Sequence, residues 1–149
     1  MEICYRPATF EDIASIHEIE AASFPDPWSE NSLWAFASDE QVRTLVVARD
    51  QETKDIVGYF ALQYVLDEAE IAIIAVKQQY RRQGIGREIL QEIKCFCQGK
   101  SITTIHLEVR SENEAAIHLY RAFGFEEVGR RKNYYASPKD DAILFRLSV

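Results

Sequence analysis

The chain has 149 residues, 47% of them hydrophobic, and 17 basic against 24 acidic side chains give it a formal net charge of −7. That length suits a single domain, residues 1–149, with a full hydrophobic core, and the acidity argues against a nucleic-acid surface while favouring a cationic partner. No apolar run is long enough to cross a bilayer and the N-terminus lacks a signal-peptide layout, so no membrane contact and a cytoplasmic location are expected.

Ile3 to Arg6 reads as a first strand. Thr9 and Asp12 then stand at capping spacing, ahead of a helical face formed by Ile13, Ile16, Ile19 and Ala22. Phe24-Pro25-Asp26-Pro27-Trp28 is a loop, because its two prolines forbid helix continuation. Ser29 is placed to cap a short helix carrying Leu33, Trp34 and Phe36. A meander follows: strands at Thr44 to Ala48, Ile56 to Leu66 and Glu70 to Val76, the last apolar on both faces as in the middle of a sheet. A helix then buries Ile89, Leu90, Ile93, Phe96 and Cys97, and Gly99 marks its end. Thr103 to Val109 alternates, with Ile105, Leu107 and Val109 on one side and His106 and Glu108 on the other. Ser111 and Glu114 have capping-box spacing for a helix that Gly124 ends, with Asn113 equally placed as a simple N-cap, and Phe125 to Val128 and Ala142 to Leu147 supply two closing strands. The sum is a mixed α/β chain of order β-α-α-β-β-β-α-β-α-β-β.

Three cysteines, of which Cys95 and Cys97 point in different directions on a helix, and three unclustered histidines argue against a metal site or a disulfide framework. The stretch with chemistry in it is Gln79-Tyr80-Arg81-Arg82-Gln83-Gly84-Ile85-Gly86-Arg87, between the apolar strand and its helix. Glycines, forked arginine donors and a helix N-terminus together make an anion-binding turn. It is no Walker loop, and Ile89 stands where a dinucleotide fingerprint needs Gly or Ala.

What remains, Arg81-x-x-Gly84-x-Gly86, resembles the acetyl-CoA pyrophosphate loop of the Gcn5-related N-acetyltransferases (GNAT). The element order resembles that family's over essentially the whole chain. Leu107-Glu108-Val109-Arg110, Asn113, Ala116-Ile117-x-Leu119-Tyr120, Gly124-Phe125, Arg131-Lys132-Asn133-Tyr134-Tyr135, the Phe24 to Ser29 loop and Asp141-Ala142 resemble one subfamily, the bacterial ribosomal-protein-alanine N-acetyltransferases. The resemblance implies a central, mostly antiparallel twisted sheet splayed between its fourth and fifth strands, with helices on both faces. It implies acetyl-CoA as cosubstrate, no metal, and the N-terminus of a small-subunit ribosomal protein as acceptor. Residue by residue, Ile74, Ala75 and Val76 match the strand end that meets the acetyl and pantetheine arm, Arg82, Gln83, Gly84, Ile85, Gly86 and Arg87 the pyrophosphate loop, and Asn113 the cofactor-contacting asparagine. Glu108 matches the general base and Tyr120 the general acid, while Trp28, Tyr134 and Tyr135 would flank the acceptor. Two departures bear on the acceptor pocket and the loop: Ile73 replaces a common polar residue, and Lys77-Gln78 replaces Asp-Pro.

Direct transfer needs a neutral amine, a polarised thioester carbonyl and a thiolate that can leave. An α-amine with a pKa near ~8 is roughly one-tenth neutral at pH 7, against well under about one-thousandth for a lysine near ~10.4. A carboxylate acting alone or through a water then suffices as base, and a backbone N–H near Val76 could hold the carbonyl oxygen. Two other readings stay open: a GNAT enzyme acting on lysine, polyamine or another small amine, and a non-catalytic CoA-binding sensor. The oligomeric state is not legible.

Overall fold

The computed structural model describes Met1–Val149. Seven strands form one sheet: β1 (Ile3–Pro7), β2 (Arg43–Asp50), β3 (Ile56–Val65), β4 (Glu68–Val76), β5 (Thr104–Arg110), β6 (Glu126–Ala136) and β7 (Lys139–Ser148). Their order is β1-β2-β3-β4-β5-β7-β6, every neighbouring pair antiparallel except β4 with β5. Four α-helices connect them: α1 (Ile13–Ser23), α2 (Glu30–Ser38), α3 (Ile85–Gly99) and α4 (Glu114–Phe123). No helix is long and apolar enough to cross a membrane.

The sheet separates two hydrophobic layers. On one face α3 and α4 bury Ile89, Leu90, Ile93 and Tyr120 against Phe60, Ile71, Leu107 and Phe145. On the other α1 and α2 bury Ile16, Ile19, Leu33 and Phe36 against Tyr59, Ala61, Ile73 and Ala75. α1 is narrower than its sequence face suggests, because Ala22 lies exposed near its end. Ser29 caps α2, its side chain accepting from the Ser32 amide at 3.1 Å.

Two features of β4 shape everything that follows. Ala61 pairs with Ile73 while Leu62 pairs with Ile71, so Ala72 is an extra residue, a bulge. The bulge moves odd-numbered side chains across the sheet: Ala69 and Ile71 belong to the α3/α4 layer, Ile73 and Ala75 to the α1/α2 layer. Immediately beyond it the parallel ladder stops, since β4 and β5 pair only from Glu68 with Thr104 to Ile71 with Leu107. The strands then splay apart, as the resemblance implies.

Two expectations need correction. The cap of α4 is Asn113, whose Oδ1 accepts from the Ala116 amide at 3.2 Å, while the Ser111 hydroxyl donates to Asp140. The closing strands are also longer than expected, because residues 129–136 continue β6 as an exposed polar arm without the alternation that marks a half-buried strand.

Candidate active site

The splay leaves the β4 edge from Ala72 to Val76 without a strand partner on the β5 side. At its end Val76 meets a short 3₁₀ turn, Gln78–Tyr80, and then the arginine- and glycine-rich loop. Asp55 anchors the turn by accepting from the Tyr80 hydroxyl at 2.8 Å and from Lys77 Nζ at 3.2 Å. Lys77 thus has a structural task of its own in this chain. Arg82 (φ 63°) and Gly84 (φ 81°) both take the left-handed conformation, which turns successive N–H groups towards a common concavity.

The amides of Arg82, Gln83, Gly84, Ile85, Gly86 and Arg87 find no acceptor in the protein, and Glu88 is the first to bond back, to the Gly84 carbonyl at 3.1 Å. Six unclaimed donors at the positive end of the 15-residue α3 are the donor set that a pyrophosphate requires. Gly86 has a second duty. A Cβ there would lie 3.0 Å from Leu119 Cδ2, so the missing side chain lets α3 and α4 approach.

The arginines divide their work. Arg81 turns back into the protein, its Nε donating to the Val76 carbonyl at 3.0 Å and its Nη2 to Ser23 Oγ at 3.1 Å. It braces the loop against the ends of β4 and α1. Arg87 lies over the Phe123 ring at 5.5 Å, and Arg82 is exposed and free of any ion pair.

Where β4 and β5 part, a groove of about 240 Å³ passes between them. Ile73, Phe24 and Trp28 line it from the α1/α2 side; Asn113, Ala116 and Tyr120 line it from the α4 side. Glu108 reaches it from β5, on the strand face opposite the buried Leu107 and Val109. Tyr120 is only 6% exposed, and burial raises its hydroxyl above the usual tyrosine range, so it keeps its proton at neutral pH. That hydroxyl has no partner in the chain, yet no fully buried side-chain polar atom lacks one. It therefore opens onto the groove. Glu108 forms an ion pair with Arg131 Nε at 3.2 Å. Its charge is the main cause of the raised pKa of the exposed Tyr134, and with burial it pushes Tyr135 up to about 12.

Residues 13–125 match the sequence pattern of the acetyltransferase (GNAT) family. The chain belongs to that family. A ribosomal protein bS18-alanine N-acetyltransferase of Escherichia coli (strain K12) is 37% identical to it over 140 residues, 93% of this chain and 92% of the relative. The crystal structure of the ribosomal-protein-S18-alanine N-acetyltransferase from Escherichia coli shares the fold with a TM-score of 0.89 at 30% identity, covering 99% of this chain and 94% of that one. Arabidopsis thaliana NAA60 in complex with acetyl-CoA matches in fold alone, with a TM-score of 0.88 at 20% identity over 99% of this chain and 100% of that one. Members of the family take their acetyl group from acetyl-CoA, and this protein is an acetyl-CoA-dependent N-acetyltransferase.

The geometry of this acetyltransferase fits that cosubstrate. Unclaimed amides at a helix N-terminus are donors of the kind an anion takes, the β4 edge beyond Ile71 leaves backbone groups unpaired on the β5 side, and Asn113, although its Oδ1 caps α4, retains a free Nδ2 at the groove. No group of three or more His, Cys, Asp or Glu side chains forms a metal-holding cluster. Of the expected acceptor walls, Trp28 and Tyr135 line the groove, whereas Tyr134 stands outside it, its ring 5.1 Å from that of Tyr135.

Two residues not singled out in the sequence support these walls. Glu20, 2% exposed, accepts from the Tyr59 hydroxyl at 2.6 Å and from the Trp28 amide at 3.0 Å, which fixes the proline-bearing loop. Arg110 donates to the Pro138 carbonyl at 2.8 Å, lies 3.4 Å from Asp26 and stacks 4.2 Å from the Tyr135 ring, joining that loop to the β6–β7 arm. A glutamate at helical spacing from Ile13 and Ile16, on the apolar face of α1, was the only sequence sign of the first. The Leu107 to Arg110 motif contained the second without revealing its task.

Proposed function

We propose that this acetyltransferase transfers acetyl directly to the N-terminal α-amine, alanine first, of a small-subunit ribosomal protein in the cytoplasm. The observation that carries the reading is that Glu108 and Tyr120 reach one groove from opposite faces of the sheet. An amine arriving beside Glu108 and a thiol leaving beside Tyr120 then need not compete for space. The 37% identical Escherichia coli relative, which is named for this alanine acceptor, supports the same choice.

When bound, acetyl-CoA supplies the activated acetyl thioester. The amides of residues 82–87, with Arg82 and Arg87, hold its pyrophosphate; the Ile74-Ala75-Val76 edge and Asn113 hold its arm. Arg81 acts by bracing the loop. Glu108 takes the proton of the attacking amine, directly or through a water, and Tyr120 delivers a proton to the departing sulfur. An unpaired amide of β4 beyond the bulge polarises the carbonyl. The acceptor's low pKa makes a single carboxylate sufficient, since an α-amine near ~8 needs far less help than a lysine near ~10.4. Trp28 and Tyr135 bound the acceptor's first side chain.

Tyr120→Phe keeps the ring and removes only the proton. We expect kcat to fall by about 10² or more, the range of positioned acid catalysis, with CoA affinity held within about twofold. Steady-state kinetics with calorimetry of CoA binding checks this. Unchanged turnover would remove Tyr120 from the mechanism.

A further inference from the structure

Arg131 stands on β6 where the ladder with β7 breaks: Arg131 pairs with Ala142, Tyr135 with Asp140, and the intervening Asn133 takes φ 52° while its amide donates to Asp141 at 2.8 Å. Before that break Arg131 shares a strand face with Gly129, and Gly129 and Glu108 both pair with Leu144, so the Arg131 side chain reaches across β7 to Glu108 on β5. Only Nε is engaged there, at 3.2 Å from Glu108 Oε1, and the side chain is 57% exposed. The Tyr134 ring, 5.7 Å from the guanidinium carbon, supports its flat face. Both Nη groups are without an acceptor, beside the carboxylate that faces the incoming amine.

We propose that Arg131 sets the acceptor class by donating its free Nη groups to the carbonyl next to a peptide α-amine. This rests on the α-amine reading above and deepens it. A peptide N-terminus places a carbonyl oxygen two bonds beyond the carbon that bears its amine. A lysine side chain or a polyamine has only methylene groups there. An amine docked at Glu108 therefore meets a charge-assisted donor that only the peptide terminus can satisfy, while the lysine stem would leave both Nη groups unpaired against apolar carbon. A planar fork anchored at one nitrogen suits this, because its remaining donors are already oriented.

The test is a cycle between enzyme and substrate, using the full chain with saturating acetyl-CoA. Two acceptors are compared: an alanine-starting peptide, and the same peptide with its first carbonyl replaced by a methylene. The wild type is expected to prefer the carbonyl peptide in kcat/KM by at least about tenfold more than Arg131→Ala does. Arg131→Lys, which keeps a cation but not the fork, is expected to fall between them, and CoA affinity to remain within about twofold in all three. Equal preference in wild type and both variants, with the alanine peptide still acetylated, overturns the role of Arg131 alone. A wild type that acetylates only a lysine in an N-blocked peptide overturns the acceptor reading and this inference together.

Discussion

Gly84 shows how much of the arginine- and glycine-rich loop depends on one backbone angle. Its φ is 81°, and a Cβ built there meets nothing within 4 Å, so substitution incurs no clash. The penalty is conformational, about 1–2 kcal/mol for an L-residue held left-handed. If the amides of residues 82–87 bind pyrophosphate, Gly84→Ala should relax that angle and raise the CoA dissociation constant about tenfold, measurable by calorimetry. An unaltered constant would contradict the assignment. The glycines and arginines of this loop were legible in the sequence because spacing alone identifies a turn before a helix. The division of labour among the arginines was not. Arg81 looks like a phosphate ligand in sequence, but its guanidinium is engaged by Val76 and Ser23, through contacts that only the folded chain creates.

The loop of residues 24–28 depends on a connection between elements. Glu20 of α1 links Tyr59 of β3 to the Trp28 amide and is almost fully buried. Glu20→Ala leaves the buried Tyr59 hydroxyl unsatisfied, at about 1–3 kcal/mol, and releases the half-buried Trp28 N–H. We expect a lower thermal midpoint and a higher KM for the acceptor peptide, with CoA affinity nearly unchanged because the loop of residues 82–87 proposed to bind it lies elsewhere. Melting curves and peptide kinetics read both effects; an unchanged peptide KM would separate this loop from the acceptor. Element order was readable from periodicity throughout, and Ser29 from its capping chemistry. The bulge at Ala72 was hidden because a strand apolar on both faces gives no alternation to break. The extension of β6 was hidden for the opposite reason, as a run of exposed polar residues resembles a loop. Asn113 proved to be both cap and groove wall, a pairing that spacing alone left undecided between two residues.

Across the whole molecule, the sheet acts as a partition with a passage at the splay. The α3/α4 face carries the unclaimed amides and Tyr120; the α1/α2 face carries Trp28, the proline-bearing loop and the approach to Glu108. In the proposed reaction cosubstrate and acceptor enter from opposite sides and meet where β4 and β5 part, which explains direct transfer without an enzyme-bound acyl group. The resemblance implied the splay, while the sequence left the acceptor open between an α-amine and a lysine, polyamine or other small amine. The decisive measurement is mass spectrometry of products from acetyl-CoA and two peptides, one with a free N-terminal alanine and one with a blocked N-terminus and a single lysine. The proposed function predicts acetylation of the first at its α-amine and none of the second. Modification of the lysine peptide alone would contradict it.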